Sequence, residues 1–550
     1  MGPGRIGRWQ DPQHLRHRRR LDDGRSSRFV VVLIRTLATA GWIVTRAAAQ
    51  DLETLPAPEA IPPPAVATAA QGAAAAVAEF EFSAEPETPP LRAIWSDGLR
   101  LASPAGDFAF AIGGRVQADA SGFTAGLGPS LSPAAGGLNP PLTGAVNFRR
   151  ARLRAGGRLY EVYDWATEYD FANQMTDYNM AFPTLAGPGT LPAMKDMWLQ
   201  VRDLPLLGTL RVGNQKDPFG LEHISDSRWL TFMERSFSMD AFEGPFNDGY
   251  LPGIQLFDHT QDGRIAWYLG EFKNTANPFG FANSSGGSQT VGRLVVLPLL
   301  EADAGQVVHL GVSGRTMGLA EVPSQIDPVT GNPTGPMIRA VRFRSRGDIR
   351  NGPPGPLNSI YADAGLLTGD WQNMLGLELA AAAGPLSLQA EYFGSWLYGA
   401  ETTGIDPVNS GRQPPPGTPL GTVFFQGAYV EAAWFLTGEH QTYDVAFSRF
   451  GRPMPRSNFY RARDPVAAGR IASSPGAWQL AVRYNYLCLD DGEVHGGVLN
   501  GMTLGLNWLL NPHARIYLNY DFTYRDFVNA AGADGSGGIN GFGTRLAFDF

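Results

Sequence analysis

The stretch "NFRRARLRAGGRLYEVYDWATEYDFA", residues 147–172, alternates with a period of two. Arg150, Arg152, Arg154 and Arg158 fall on one parity, and Ala151, Leu153, Ala155 and Leu159 on the other. After a tight turn, Asp164, Glu168 and Asp170 take one face of the next segment, opposite Trp165, Thr167, Tyr169 and Phe171. Successive side chains of a strand point to opposite faces, so this is a β-hairpin with a charged side and an apolar side. An arginine facing acyl chains at the bilayer midplane costs about 2–4 kcal/mol, so in a membrane wall this row of four must look into an aqueous interior.

The rest of the chain fits such a hairpin repeated many times. Charged residues are 17% of the 550, against roughly 25% in ordinary globular proteins, while 67 glycines and 11% aromatics suit many strands and turns. The sequence has no apolar run of about 18 residues, the length a spanning helix needs. A closed barrel is then the way to satisfy the backbone in lipid. Seventeen segments alternate, beginning near 108, 146, 164, 195, 207, 252, 264, 291, 306, 373, 386, 422, 440, 476, 500, 514 and 541. Bacterial single-chain barrels have an even number of strands, so one segment is surplus or one is missing. The spare is "IRAVRFRSR" at 338–346. Short turns such as "NPH" (511–513) contrast with long loops such as 216–251, the asymmetry of outer-membrane barrels.

Three regions are expected. Residues 1–49 read as an export signal, removed on maturation: a basic stretch, an apolar stretch interrupted by Arg35, then Ala47 and Ala49 at small-residue cleavage positions. Residues 50–100 read as an Ala/Pro-rich periplasmic spacer without core periodicity. Residues 101–550 are the barrel. Removing the first 49 residues changes the formal charge from −8 to −15, so the mature chain is a poor nucleic-acid binder and any preference for anions must come from local placement of arginine.

Enzyme chemistry finds little support. The single cysteine, Cys488, excludes an intramolecular disulfide and a cysteine-built metal site. Eight histidines are scattered, with no zinc-protease, nucleophile-elbow or phosphate-loop pattern, so neither cofactor nor metal is expected. A hydrolase built from one His and one Ser or Asp is the remaining enzymatic alternative. Asp490, Asp491, Glu493 and His495 in "LDDGEVHGG" resemble a metal cluster but read better as a polar loop.

The arginine row has two readings. It braces the wall by pairing with the acids across the hairpin, at roughly 0.2–1 kcal/mol per exposed pair. Alternatively it forms a track for anions, whose oxygens match the planar guanidinium fork. Arg115, Arg211, Arg483, Arg515 and Arg545 are further inward candidates, and Arg342, Arg344 and Arg346 form a second row expected in an outer loop or vestibule.

In order along the chain, "WSDGLRLASPAGDFAFAIGGRVQADA", "FRRARLRAGGRLYEVYDWATEYDFA", "LRVGNQKDPFGLEHISDSRWLTFMERS", "GAYVEAAWFLTGEHQTY", "GAWQLAVRYNYLCLDDG", "TLGLNWLLNPHARIYLNY" and "GFGTRLAFDF" resemble the phosphate-selective porin O and P family. The resemblance spans about 95–550. It implies an all-β fold, a transmembrane antiparallel β-barrel of 16 strands (18 as the alternative), assembled as a homotrimer in the outer-membrane lipid and passing small anionic or polar solutes. It implies an arginine ladder, matched by Arg150, Arg152 and Arg154, and an inward loop that makes Lys216, Arg228 and Arg235 constriction candidates. The family's lysine cluster has no counterpart, because the chain holds only Lys195, Lys216 and Lys273. A non-selective porin and a plugged structural or adhesive barrel are the alternatives. The last ten residues read as the closing strand, and Phe550 resembles the terminal aromatic by which barrel assembly machinery recognises its clients.

Overall fold

Alternating apolar and polar residues carry the chain through sixteen antiparallel strands that close on themselves. They are β1 (Ala109–Ala125), β2 (Ala145–Leu159), β3 (Tyr163–Asp170), β4 (Ala193–Leu204), β5 (Gly208–Lys216), β6 (Tyr250–His259), β7 (Ile265–Lys273) and β8 (Ser288–Glu301), followed by β9 (Gln306–Gly318), β10 (Trp371–Ala383), β11 (Leu386–Thr402), β12 (Pro419–Phe435), β13 (Ala477–Asp491), β14 (Val494–Asn511), β15 (Ala514–Asp526) and β16 (Gly537–Asp549). The computed structural model describes residues 91–95, 97–172, 193–243, 249–274, 287–301, 304–326, 333–351, 358–403, 414–459, 462–463, 471–472, 474–529 and 531–550. The expected export signal and most of the expected spacer lie outside the described residues.

Each strand pairs with the next, and β16 returns to β1 with Arg545 opposite Asp119. Closure removes the open edges a sheet would otherwise present. Phe550 completes the seam: its N–H donates to the Gly114 carbonyl at 3.0 Å, and the Gly114 N–H donates back at 2.7 Å. On β16, Phe542, Leu546 and Phe548 face outward while Arg545 is buried inside, the alternation of a barrel strand.

The seventeenth expected strand, near 440, is not part of the wall. Tyr443–Asp444 pairs only with Arg449–Phe450, and left-handed Ser448 (φ 48°) turns the chain back at once. Two residues fall far short of the roughly 9–11 that a strand needs to cross a bilayer. The spare segment does form a strand, Pro333–Arg346, but it pairs with Glu321–Ile326 and Ile360–Thr368 in an excursion between β9 and β10. At the other end, Arg92–Trp95 pairs with Leu99–Ala102, and the latter pairs with β1, Leu99 opposite Ile112. The wall-attached structure therefore starts ahead of position 101.

One end of the barrel carries short turns, such as 160–162 and 512–513; the other carries the long connections. Two connections break the pattern: 436–476, a long connection at the short-turn end, and 492–493, a two-residue turn at the long-loop end. In the long-loop half of the lumen, Phe219, Phe237 and Phe242 of the connection 217–249 form one apolar cluster with Phe343 and Tyr361 of the excursion and with Phe393 and Phe425 of the wall.

Candidate functional site

The connection 217–249 folds into the lumen, and its local sequence shows how. Ser236 caps the short helix Phe237–Phe242 by accepting the Met239 N–H, and its own N–H and hydroxyl donate to Glu222, the hydroxyl at 2.7 Å. Glu222 belongs to the other short helix, Leu221–Ile224, so this one carboxylate ties the two turns together. From the wall, Glu391 on β11 accepts the N–H groups of Leu221 (2.6 Å) and Glu222 (2.8 Å), orphan donors of a helix start. Phe232 and Phe237 lie against Gly505 and Gly501 of β14, where an added Cβ would stand 3.0 Å and 2.8 Å from their rings. Gly249, at φ +75°, packs on the His223 ring where a Cβ would come within 2.2 Å.

The acids of this loop are met by arginines of the wall. Glu234 takes Arg149 at 2.8 Å and Arg545 at 2.7 Å, with Arg150 at 3.7 Å and Arg350 at 3.6 Å. Burial alone would raise the Glu234 carboxyl; these four guanidinium groups outweigh it and hold the carboxyl well below its usual range. Asp226 takes Arg115 at 2.6 Å and Arg228 at 2.7 Å, and Glu243 takes Arg315 at 2.6 Å. His223 sits 3.0 Å from Asp217, and burial pushes its imidazole down to about 4 against the pull of that carboxylate.

Arg483 of β13 is buried between Asp348 at 2.9 Å and Glu222 of the inward loop at 3.4 Å. Arg150 is 3% exposed; besides Glu234 it donates to the Gln117 side-chain carbonyl at 2.9 Å. Arg152 pairs with Asp170 (2.7 Å) and Glu168 (2.8 Å), and Arg158 pairs with Asp164 (2.9 Å). Arg154 leaves the hairpin and pairs with Asp97 of the N-terminal segment, staying about one-third exposed. Arg115 also bridges to Glu168 at 2.8 Å, and Arg545 holds Asp119 at 2.7 Å. Arg228 also reaches Asp97 at 3.2 Å, while Arg235 donates to the carbonyls of Glu222 (2.9 Å) and Ser225 (2.7 Å) within its own loop. Arg515 donates to Gln479 at 3.2 Å and lies over the Tyr517 ring.

Arg211 and Lys216, both on β5, resemble Arg235 and Arg515 in having no carboxylate within 4 Å among the described residues, and differ from them in the cavity they face. The Arg211 Nε donates to Gln200 at 2.9 Å, and its guanidinium lies 4.1 Å from the Trp198 ring and 4.9 Å from that of Phe257. Lys216 donates to the carbonyls of His223 and Ser225. Both line a cavity of about 420 Å³ in the short-turn half of the lumen, bounded by β1–β8, the inward loop and Phe447 with Arg449 of the 436–476 segment.

Sequence reading missed Arg149, which sat on the apolar parity. A β-bulge opposite Gln117 and Ala118 resets the alternation, so Phe148 stays outward while both Arg149 and Arg150 turn in. The signal was present, because an arginine on a lipid-facing parity is itself evidence of a register change. Asp490 and Asp491 of the acidic loop serve backbone: they accept the N–H groups of Gly497 (2.6 Å) and Phe424 (2.7 Å).

A closed barrel with a charged interior, an apolar outer face and a long connection folded into its lumen is the architecture of an outer-membrane β-barrel. The chain belongs to the phosphate-selective porin O and P family, whose model matches residues 110–550. It is 25% identical over 481 residues to Porin O of Pseudomonas aeruginosa, covering 82% of this chain and 91% of that one. It is 26% identical over 503 residues to an uncharacterized protein of Caulobacter vibrioides, covering 90% and 83%. Among solved structures it resembles OmpT of Vibrio cholerae (TM-score 0.43, 10% identity, 80% of this chain and 99% of that one) and the channel DcaP of Acinetobacter baumannii (TM-score 0.42, 9% identity, 82% and 99%). The protein is a porin of the bacterial outer membrane.

Proposed function

We propose that this porin passes small anions in preference to cations, and that Arg211 and Lys216 supply the preference. The observation that carries the reading is their position: cations facing the 420 Å³ cavity without a carboxylate partner. The row Arg150, Arg152, Arg154 and Arg158 serves chiefly as a brace in this reading, because its members are ion-paired and Arg150 and Arg152 are buried. Inward charge acts only near the path, since screening decays over about 8 Å at physiological salt. The family is named for phosphate, and Porin O is the relative's name; with three lysines in the whole chain, a looser anion preference fits better. Residues 1–49 as an export signal, 50–90 as a spacer, a homotrimer, and Phe550 at the seam as the contact for barrel assembly machinery complete the reading.

The reversal potential of single channels in a potassium chloride gradient tests it. A potential on the chloride side is expected; a zero or potassium-side value contradicts it. The apolar cluster in the long-loop half favours a second reading, a plugged barrel displayed for its loops. Proteoliposomes that fail to swell in small sugars would establish that one instead.

A further inference from the structure

The cavity is lined in an unusual way for a site meant for inorganic anions. Trp198, the Arg211 guanidinium, Phe257, Tyr268 and the Arg293 guanidinium form one continuous stack along β4 to β8. Arg211 lies between Trp198 and Phe257, Phe257 is stacked on Tyr268 at 5.7 Å and 15°, and Arg293 lies 5.3 Å from Tyr268. Glu378 neutralises Arg293 at 2.7 Å. Arg211 has no carboxylate within 4 Å among the described residues, and its two terminal amino groups donate to no protein atom among them, so the planar edge of the fork is left for a ligand. Lys216 adds a second cation, and Asp196, held by the Trp198 Nε1–H at 3.2 Å, adds a carboxylate with no cationic partner within 4 Å among the described residues, whereas Asp97, Glu168, Asp226 and Asp444 of the same lining are paired with arginines.

Resting on the anion-channel reading above, we propose that this cavity is a binding site for planar organic monocarboxylates, of which an aryl carboxylate is the simplest. A carboxylate matches the free edge of the Arg211 fork in bidentate fashion, and the ligand ring meets the edges of Phe257 and Tyr268, whose faces the stack already covers. Phosphate fits less well. Its oxygens demand hydrogen bonds on every side, and flat rings desolvate it without replacing those bonds. Asp196 further opposes a second negative charge, whereas one charge is matched by Arg211 and Lys216 together.

Benzoate, acetate and inorganic phosphate are the probes, added to the short-turn side of wild-type channels carrying chloride current in planar bilayers. Benzoate is expected to halve the current at a concentration about tenfold below that of acetate or phosphate. Phe257→Leu keeps an apolar side chain but removes the ring, and is expected to raise the benzoate value about fivefold with little change for acetate. Phosphate blocking at or below the benzoate concentration, benzoate matching acetate, or an unchanged benzoate value in Phe257→Leu would each overturn the proposal. Calorimetric titration of the detergent-solubilised barrel with benzoate reads the site without conduction. Binding there by a protein that proves cation-preferring would remove the anion-channel reading and leave the site standing; no binding would remove the site.

Discussion

Two rows of arginine look alike in sequence and end in different places. Arg150, Arg152, Arg154 and Arg158 lie on β2, part of the wall. Arg342, Arg344 and Arg346 lie on Pro333–Arg346, which never joins the wall and folds into the lumen, where all three are buried. Yet both converge on the inward loop. The wall row reaches Glu234 through Arg150 and its neighbour Arg149; the excursion reaches Asp240 through Arg346, and Arg350 spans both acids at 3.2 Å to Asp240 and 3.6 Å to Glu234. A periodic row of charge thus marks a strand with a polar face in both cases. What it does is decided by a loop elsewhere in the chain that brings the opposite charges.

The largest expected effect comes from separating the two anchors. Glu234→Gln leaves four buried guanidinium groups short of one anion, and breaking a buried pair in this way costs about 3–5 kcal/mol. The loop should leave its seat, giving larger and noisier single-channel conductance. Asp240→Asn weakens the hold on Arg346 and Arg350 and retains one acceptor, so a smaller loss of about 1–3 kcal/mol and a smaller rise in conductance are expected. Equal conductance changes in the two variants would mean that the rows hold the loop equally.

Acid should loosen the same loop at a point neither row touches. His223 packs beside Asp217, Lys216 and Arg235, and burial lowers its pKa from 6.5 to about 4. A base with a lowered pKa binds fewer protons in the docked loop than in the released one. Docking is therefore at full strength above pH 6.5 and weakens as pH falls towards 4, by about 3 kcal/mol in all. The carboxyl of Glu234, held below its usual range, keeps its ion pairs through this window. Conductance measured against pH should rise between 6.5 and 4 in the wild type and stay flat there in His223→Gln; a rise that survives the substitution would assign it to another group.

Much of the wall was legible because the alternation of a lipid-facing barrel is strictly local. Sixteen of the seventeen segments read from the sequence lie in strands of the wall, and the surplus one near 440 failed through a turn at Ser448 that alternation does not report. The brace on β2 was half legible: Arg152 with Asp170 and Arg158 with Asp164 follow from hairpin register. Arg154 could not be placed, since Asp97 lies 57 residues away. The reach of Glu234 to β16 and to Arg350 was beyond reach for the same reason, whereas the bulge at Arg149 left its mark in the sequence as an arginine on the apolar parity. Arg211 was picked as inward-facing, but its lack of a carboxylate is a property of the assembled lumen.

In the proposed channel, buried, paired arginines hold the loop, while cavity cations with no carboxylate within 4 Å among the described residues select the ion. Reversal potentials of Arg150→Gln and Arg211→Gln, measured in the same potassium chloride gradient, test it directly because each removes one positive charge. Arg211→Gln should shift the potential markedly towards the potassium side, and Arg150→Gln should leave it close to wild type. A shift in Arg150→Gln equal to or larger than that in Arg211→Gln would contradict the account and restore the β2 row as the anion track.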